Sequence, residues 1–145
     1  MKKSDVRTIL WGALLIGVII VVGTAIEKWK NRDYEPWIRS RYDLGRIGEA
    51  YRYYHKQQQR APSNIEDLDE WSELICGKKI NDNLGRPSED YEIYWNTKLS
   101  ESESENANVI LGYAKNITSR GVVVVNGDGV TRTMSVREFE KVKPK

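Results

Sequence analysis

Cysteine and histidine are almost absent from this chain, which has one of each among its 145 residues. The single cysteine, Cys76, excludes a disulfide within the chain and any metal site that needs several thiolates. We expect it to be a partly buried structural residue, with a reactive or intermolecular thiol as the alternative. His55 has no second histidine to share a metal with, and its polar surroundings favour a solvated helix residue over a base or a ligand. We therefore expect no metal and no other cofactor.

An excess of charge of either sign is also lacking. The 23 basic and 21 acidic residues give a net charge of +2, which is no basis for nucleic-acid binding. The chain has no nucleophile elbow and no phosphate-binding glycine loop. The carboxylates at 66–70 are the nearest to an acid–base site, but adjacent carboxylates around a short helix are usually an exposed face. We predict that the protein is not an enzyme, and a hydrolase of the cell envelope is the least favoured alternative.

Two loops carry oxygen ligands that would suit calcium. One is the Asn-Asp-Asn stretch at 81–83, and the other contains Asn126 and Asp128. Neither has the full ligand set at the spacing that a calcium loop needs. Calcium is therefore a minor alternative to the prediction of no metal.

Long apolar runs are missing except for one, which extends from Ile9 to Ile26 without a charged residue. As a helix, at about 1.5 Å per residue, the run would extend roughly 27 Å, close to the ~30 Å of a bilayer core. Trp11 and Trp29 lie near its ends, where indole rings favour the headgroup layer. These features predict one transmembrane helix over 9–26, with the lipid bilayer as a partner and the two tryptophans at the membrane interface.

A cleavable secretory signal is the alternative interpretation of the same run, because the chain begins with Met-Lys-Lys. The run is longer than the 7–15 residues of a signal core, and 23–26 is a poor cleavage site. Basic residues flank both ends, so the positive-inside rule barely sets the orientation. A short tail at 1–8 favours a signal anchor with this tail in the cytoplasm. The following domain would then lie outside, in the periplasm or at the cell surface.

Residues 37–145 are predicted to form one α+β domain, joined to the span by a charged linker at 27–36. Pro36 disfavours helix at Glu35 and predicts a break between the linker and the domain. A long helix is expected over about 37–59, because apolar residues recur there at steps of three and four. This stripe consists of Leu44, Ile47, Tyr51 and Tyr54.

Two shorter helices are predicted from their N-terminal caps. Ser63 and Glu66 have the spacing of a capping box, which predicts a short helix through Leu68. Ser135 and Glu138 repeat this spacing and open a last helical turn, which carries Phe139 and Val142.

Four antiparallel strands are predicted between these helices, because strand-favouring residues alternate or run together there. They cover about 91–95, 109–113, 121–125 and 130–134. The Asn-Gly-Asp-Gly sequence at 126–129 supplies the residues of a tight hairpin turn between the last two strands. The polar stretch at 100–108 predicts a solvated, mobile loop.

Three segments carry a resemblance: the helical stripe from Leu44 to Tyr54, the proline-led segment 61–68, and residues 111–139. In this order they resemble the pseudopilin-like proteins of the type II secretion and type IV pilin group, in the branch with a carboxy-terminal H-x9-D-G region. The resemblance implies a pilin-like domain in which a long helix packs on a small antiparallel sheet. The matching residues, all implied to be structural, are Leu44, Ile47, Tyr51, Tyr54, Pro62, Leu68, Asp128, Gly129 and Phe139.

The chain departs from this family at two points. Thr118 stands where the histidine ten residues before Asp128 would be. Ser4 and Asp5 precede the apolar run, where a prepilin peptidase would require a glycine with a glutamate five residues later. The resemblance therefore does not imply a role of that histidine in this chain. It also does not imply that this chain is processed by a prepilin peptidase or assembles into a filament.

The resemblance implies a membrane-anchored, non-enzymatic structural or interaction protein, a component of a secretion-type or pilus-type assembly. Its partners would be other proteins of an envelope assembly or further copies of itself. The alternative is a membrane-anchored ligand-binding or sensory module outside the cytoplasm. For that alternative, Tyr91, Tyr94 and Trp95 are the candidates for an exposed stacking platform.

Overall fold

The computed structural model describes residues 34–85 and 87–144, without the side chains of Tyr34, Ile75 and Cys76. The chain divides into two units, 1–35 and 36–145. The helices are α1 (Tyr34–Gln58), α2 (Ile65–Cys76), α3 (Glu103–Asn106) and α4 (Val136–Val142). The strands are β1 (Tyr91–Ile93), β2 (Ile110–Ala114), β3 (Val122–Asn126) and β4 (Thr131–Met134). Two short 3-10 turns, Asn81–Asn83 and Ser88–Asp90, lie between α2 and β1.

The fold class predicted from the sequence is contradicted, because it included a membrane-spanning helix. Within 34–85 and 87–144, no helix is both long enough and apolar enough to cross a membrane. The structure shows an α+β arrangement of helices and a four-stranded antiparallel sheet. The predicted span at 9–26, with Trp11 and Trp29 at its ends, lies outside the described residues.

The predicted long helix is present as α1, but the break expected at Pro36 is wrong. Tyr34, Glu35 and Pro36 all lie within the helix. The reason is positional: N–H groups in a first helical turn have no carbonyl partner, so a proline costs no hydrogen bond there. The predicted stripe is confirmed as the inner face of α1, since Leu44, Ile47, Tyr51 and Tyr54 are all buried.

The sheet is a meander in which each strand pairs with the next along the chain, in the order β1-β2-β3-β4. β3 is buried throughout, and its valines alternate between two cores. Val123 and Val125 belong to the core that contains the buried face of α1, whereas Val122 and Val124 pack with Phe139 of α4. Because strand side chains alternate between the two faces, the apolar run in β3 serves both.

Gly48 lets α1 approach the sheet closely. A Cβ atom at this position would lie 2.4 Å from Cγ2 of Val125 and 3.3 Å from Cα of Gly129. Gly129 has a φ of 79°, which an L side chain rarely adopts. The predicted hairpin between β3 and β4 is confirmed, and its turn lies directly against the helix.

The cap predicted for α2 is off by one residue. Asn64, rather than Ser63, is the N-cap, and its side chain accepts a hydrogen bond from the N–H of Asp67. The Asp67 carboxylate accepts in turn from the N–H of Ser63, at 2.7 Å. α2 also continues beyond Leu68 to Cys76.

The cap predicted for α4 is confirmed in full. The hydroxyl of Ser135 accepts from the N–H of Glu138, and the Glu138 carboxylate accepts from the N–H of Ser135. Phe139 is buried and Val142 is exposed, so one side of this short helix faces the sheet.

The loop predicted to be solvated at 100–108 is largely exposed, and one asparagine forms hydrogen bonds within it. Asn106 is buried at the end of α3. Its side chain accepts from the N–H of Ser100 and donates to the Ser100 carbonyl, both at 2.8 Å. These two bonds hold the backbone at Ser100 against the end of α3. A polar composition alone does not predict such bonds.

Candidate functional site

A cleft of about 660 Å³ lies between α1 and α2. Ala50 and Ile80, both buried, contribute to its lining. Tyr53 of α1 and Trp71 of α2 both line it, and their rings form a stacked pair with centroids 6.3 Å apart and planes at 14°. Two aromatic rings that are held by different helices give this cleft an apolar, flat-walled interior.

The helix periods place these two rings at the surface end of the core. Tyr53 follows the buried Tyr51 by two residues, which turns it toward the outside of α1. Trp71 follows the buried Leu68 by three residues, so it lies on nearly the same face of α2 and packs partly on the core. Tyr53 is 47% exposed. Trp71 is thus supported by the core, and the Tyr53 ring is accessible from outside.

The rim of the cleft is polar and carries both signs of charge. Arg46 and Lys78 are cationic and Glu49 is anionic. The Arg46 guanidinium donates to the Asn83 carbonyl, and the hydroxyl of Ser72 donates to the Lys78 carbonyl at 2.8 Å. The lining therefore combines an aromatic interior with fixed polar groups. The aromatic rings can bind an apolar part of a ligand, and the polar groups can orient the rest of that ligand.

Large apolar side chains also lie exposed on these two helices. Leu74 is one turn beyond Trp71 on α2 and is 82% exposed, and Tyr42 on α1 is 70% exposed. Single exposed apolar residues are ordinary on a protein surface. Leu74, however, follows the cleft on the same helix, and it extends the apolar surface beyond the cleft itself.

Metal-ligating side chains are not grouped together in the part of the chain that the structure describes. No group of three or more His, Cys, Asp or Glu side chains within 34–85 and 87–144 is placed to hold a metal ion. His55 is half-buried, and its Nε2 accepts from the N–H of Leu99 at 3.3 Å. It thus tethers the chain after β1 to α1, and the residue that was predicted to be solvated is partly exposed on the helix.

The acidic cluster at 66–70 is divided between structural and exposed roles. Asp67 accepts from the N–H of Ser63, and this bond, with a smaller contribution from Arg60, lowers the pKa of its carboxyl group. Asp69 accepts from the N–H of Asn81 at 2.9 Å. Glu66 and Glu70 are exposed, as expected for the whole cluster.

Two of the loop asparagines considered for calcium, Asn83 and Asn126, donate to backbone carbonyls. The Asn83 side chain donates to the Lys79 carbonyl at 2.7 Å, and the buried Asn126 side chain donates to the Ala107 carbonyl. The Asp128 carboxylate accepts from the N–H of Val130 at 3.0 Å. These bonds shape their own loops.

The residues of the family motif do not come together as a site. Most belong to the interior, and Asp128 and Gly129 form the turn between β3 and β4. The hydroxyl of Tyr51 donates to the Thr97 carbonyl at 3.0 Å, and burial raises its pKa. The buried members are Leu44, Ile47, Tyr51, Tyr54, Pro62, Leu68 and Phe139. These seven residues are buried, and the structural role that the resemblance implied for them stays a prediction.

Tyr91, Tyr94 and Trp95, the candidates for an exposed stacking platform, are buried or only half-exposed. Tyr91 is buried and Trp95 stacks on Tyr51, with centroids 6.3 Å apart. Tyr94 lies against Tyr113, with centroids 6.2 Å apart. The accessible pair is instead Tyr53 with Trp71, which sequence reasoning missed because the two belong to different helices. The available signal was that Tyr53 falls off the buried stripe.

Two further predictions have a different outcome. The side chain of Cys76 lies outside the part of the chain that the structure describes. The resemblance to the pseudopilin group stays a prediction. No protein-family model, curated protein or solved structure matches this chain.

Proposed function

We propose that this chain is a non-enzymatic interaction protein of the cell envelope, and that the cleft between α1 and α2 docks apolar side chains of a protein partner. The observation that carries this proposal is the Tyr53–Trp71 stack, which lines a cleft of about 660 Å³ and remains open to the outside. The exposed Leu74 on the same helix extends the contact surface.

The chemistry of the cleft favours a protein as the occupant. Tyrosine and tryptophan are the residues most enriched at the energetic centres of protein interfaces, where a few buried side chains carry most of the binding energy. Arg46, Lys78 and Glu49 at the rim carry both signs of charge, which suits a polar interface rim. The resemblance to pseudopilins supports the same class of function, since it implies contacts within an envelope assembly.

A site-specific crosslinking experiment tests the proposal in the full chain. A photoreactive amino acid at Leu74 is expected to give a discrete adduct with a protein identified by mass spectrometry. The matched control is the same probe at Ile117, an apolar residue of similar character that is 53% exposed in the segment after β2. The adduct at position 74 should disappear in the Trp71→Ala variant, with an unchanged circular dichroism spectrum. Equal adducts at both positions, or none at position 74, would overturn the proposal.

The location outside the cytoplasm is a separate proposal, carried over from the sequence. It is tested by placing a reporter after Lys145, measuring its protease accessibility in intact cells, and determining the amino-terminal mass. Accessibility of the reporter supports the envelope location. Complete protection would place the docking surface on the cytoplasmic side, where the partners would be of a different kind.

Binding of a small soluble ligand is the second candidate function, and the size of the cleft favours it. Its volume of about 660 Å³ lies within the roughly 300–1,000 Å³ of small-molecule sites. A planar ring or a sugar would stack on Tyr53 or Trp71. Under this alternative, fragments of envelope glycans raise the melting temperature of the wild-type chain but not of Trp71→Ala, and no protein adduct forms at Leu74.

A further inference from the structure

The segment 98–106, called the strap below, lies beside the C-terminal half of α1, and both line a pocket of about 420 Å³. The backbone is anchored on either side of the strap. Before it, the hydroxyl of Tyr51 donates to the Thr97 carbonyl at 3.0 Å. After it, the N–H of Gly127 donates to the Val109 carbonyl at 2.7 Å. The strap therefore connects two fixed points.

Among the described residues, two polar contacts join the strap to α1. One is the ion pair of Arg52 with Glu103 at 3.2 Å, in which the Glu103 side chain is 81% exposed. Ion pairs that are this exposed contribute little to stability. The other contact is the hydrogen bond from the N–H of Leu99 to Nε2 of His55, at 3.3 Å. Because both residues of this bond are half-buried, the imidazole nitrogen replaces water as the partner of the Leu99 N–H.

The bond to Leu99 requires a particular protonation state of His55. An imidazole nitrogen that accepts a hydrogen bond carries no proton, so the ring is neutral and its proton is on Nδ1. Protonation at Nε2 would turn the acceptor into a donor, and this donor would face the N–H of Leu99. The attached form of the strap therefore holds one proton fewer than the released form, and a lower pH favours release.

Charged groups of both signs lie near the His55 ring. On the turn between β3 and β4, the Asp128 carboxylate pairs with Arg132 at 3.4 Å. Apart from Arg52, the charged side chains near His55 on α1 and on the strap are exposed, so solvent and salt screen their effect on the ring. The direct contact with the N–H of Leu99 therefore determines the direction of the pH effect. The charged residues on α1 and on the strap are Arg52, Lys56, Lys98, Glu101, Glu103 and Glu105.

Release of the strap would uncover an apolar side chain. Leu99 packs against the core, and a Cβ atom added at Gly127 would lie 2.7 Å from its Cδ2. His55 is the only histidine among the 145 residues. Histidine is the side chain that ordinarily changes its charge between about pH 5 and pH 8. Protonation of this one residue can therefore control how firmly Leu99 is held.

We propose that His55 is an acid-released latch. At neutral pH its neutral ring holds the strap against α1, and in mildly acidic solution the protonated ring releases the strap. Release opens the pocket between the strap and α1 and exposes the Leu99 side chain. Tyr53 lines both this pocket and the α1–α2 cleft, but the latch acts whether or not that cleft binds a partner.

The test measures amide hydrogen exchange of the full chain at pH 7.5 and pH 5.5, expressed as protection factors so that the intrinsic pH dependence of exchange cancels. The protection of the Leu99 amide is expected to be about tenfold lower at pH 5.5, because its acceptor is lost. The Gly127 amide is the control, since it donates to the Val109 carbonyl, and its protection should not change. Unchanged or stronger protection of Leu99 at pH 5.5, or an equal fall at Gly127, would overturn the proposal.

Two variants separate protonation of His55 from a general effect of acid. His55→Gln keeps a side-chain acceptor that does not titrate, so the Leu99 amide should be equally protected at both pH values. His55→Phe removes the acceptor and should give low protection at both. At pH 5.5, a glutamate-specific protease is expected to cleave the strap of the wild-type chain faster than that of His55→Gln. Equal cleavage of the two chains, or the wild-type fall in protection in His55→Gln, would contradict the latch. The comparison of the two amides in the wild-type chain decides the question even if a variant does not fold.

Discussion

The hydroxyl of Tyr91 donates a 2.6 Å hydrogen bond to Oδ2 of Asp43, and both side chains are buried. The other carboxylate oxygen, Oδ1, accepts from the N–H of Gly85 at 2.9 Å. One carboxylate of α1 thus fixes both the first strand and the connection that leads to it. A buried charge of this kind is tolerated because hydrogen bonds replace its lost hydration.

Tyr91→Phe is expected to lower the free energy of unfolding by about 1–3 kcal/mol, because it leaves a buried carboxylate oxygen without its donor. Urea denaturation measures the change. Tyr42→Phe is the matched control, since Tyr42 is exposed, and it should change stability by less than about 0.5 kcal/mol. If both variants unfold at the wild-type urea concentration, the Asp43–Tyr91 bond does not stabilise the fold.

Gly48→Ala is expected to destabilise the protein by about 1–3 kcal/mol, because the added methyl group forces α1 away from the sheet. The clash would be with Cγ2 of Val125, 2.4 Å from the position of the new atom. Gly45→Ala in the same helix is the control: its nearest neighbour, Cγ2 of Thr131, would be 3.7 Å away. That variant should gain about 0.5–1 kcal/mol from lower backbone entropy in the unfolded chain. Thermal denaturation that ranks the two variants the other way would contradict the close packing of α1 on β3.

Asp67→Asn is expected to make the stability of the protein less dependent on pH in the acid range. The hydrogen bond from Ser63 lowers the pKa of Asp67 in the folded protein. Its ionised form therefore stabilises the fold above the ordinary aspartate pKa of about 4, and this stabilisation is lost as the pH falls through the lower folded value.

The size of this effect should be modest, since the group is partly solvated. At pH 7 we expect the variant to lose less than about 1 kcal/mol. Denaturation at a series of pH values should show the difference from wild type shrinking below about pH 4. Glu70→Gln, at an exposed position of the same helix, should show no such trend. A difference that stays constant down to pH 2 would argue against the carboxylate as its source.

Phe139→Ala is expected to lower the free energy of unfolding by about 3 kcal/mol, because it removes a fully buried aromatic side chain. The ring lies against Tyr113, with centroids 4.7 Å apart. Val142→Ala, in the same helix but exposed, should cost less than about 0.5 kcal/mol. Chemical denaturation of both variants tests whether α4 is attached to the sheet through this one ring.

Local patterns allowed much of this fold to be predicted. The stripe at Leu44 and Ile47 depends only on helical periodicity, and the strands at 109–113 and 121–125 depend on runs of strand-favouring residues. Ser135 and Glu138 form the expected capping box, since both partners lie within one helical turn. Features of this kind can be predicted from the sequence because the interacting groups are close together in the chain.

Features that depend on distant contacts were missed. The burial of Tyr91 could not be predicted, because nothing near it in sequence reveals the carboxylate of Asp43. The pairing of Tyr53 with Trp71 requires the packing of two helices, which no local pattern specifies. Pro36 was read as a break, although a proline in a first helical turn is compatible with the helix. The candidate site therefore emerged only from the tertiary structure.

The meander order of the sheet has a consequence for how the chain folds. Every pairing within the sheet joins strands that are adjacent in sequence, and the β2–β3 and β3–β4 ladders close short loops at a low entropic cost. Docking of α1 onto β3 instead joins regions such as Ile47 and Val125 that are far apart in the chain. Since long-range closure is the slow step in chains of mixed topology, we expect β2 to β4 to be ordered in the transition state for folding and α1 to join afterwards. The helix that carries half of the aromatic cleft would then be the last element to reach its place.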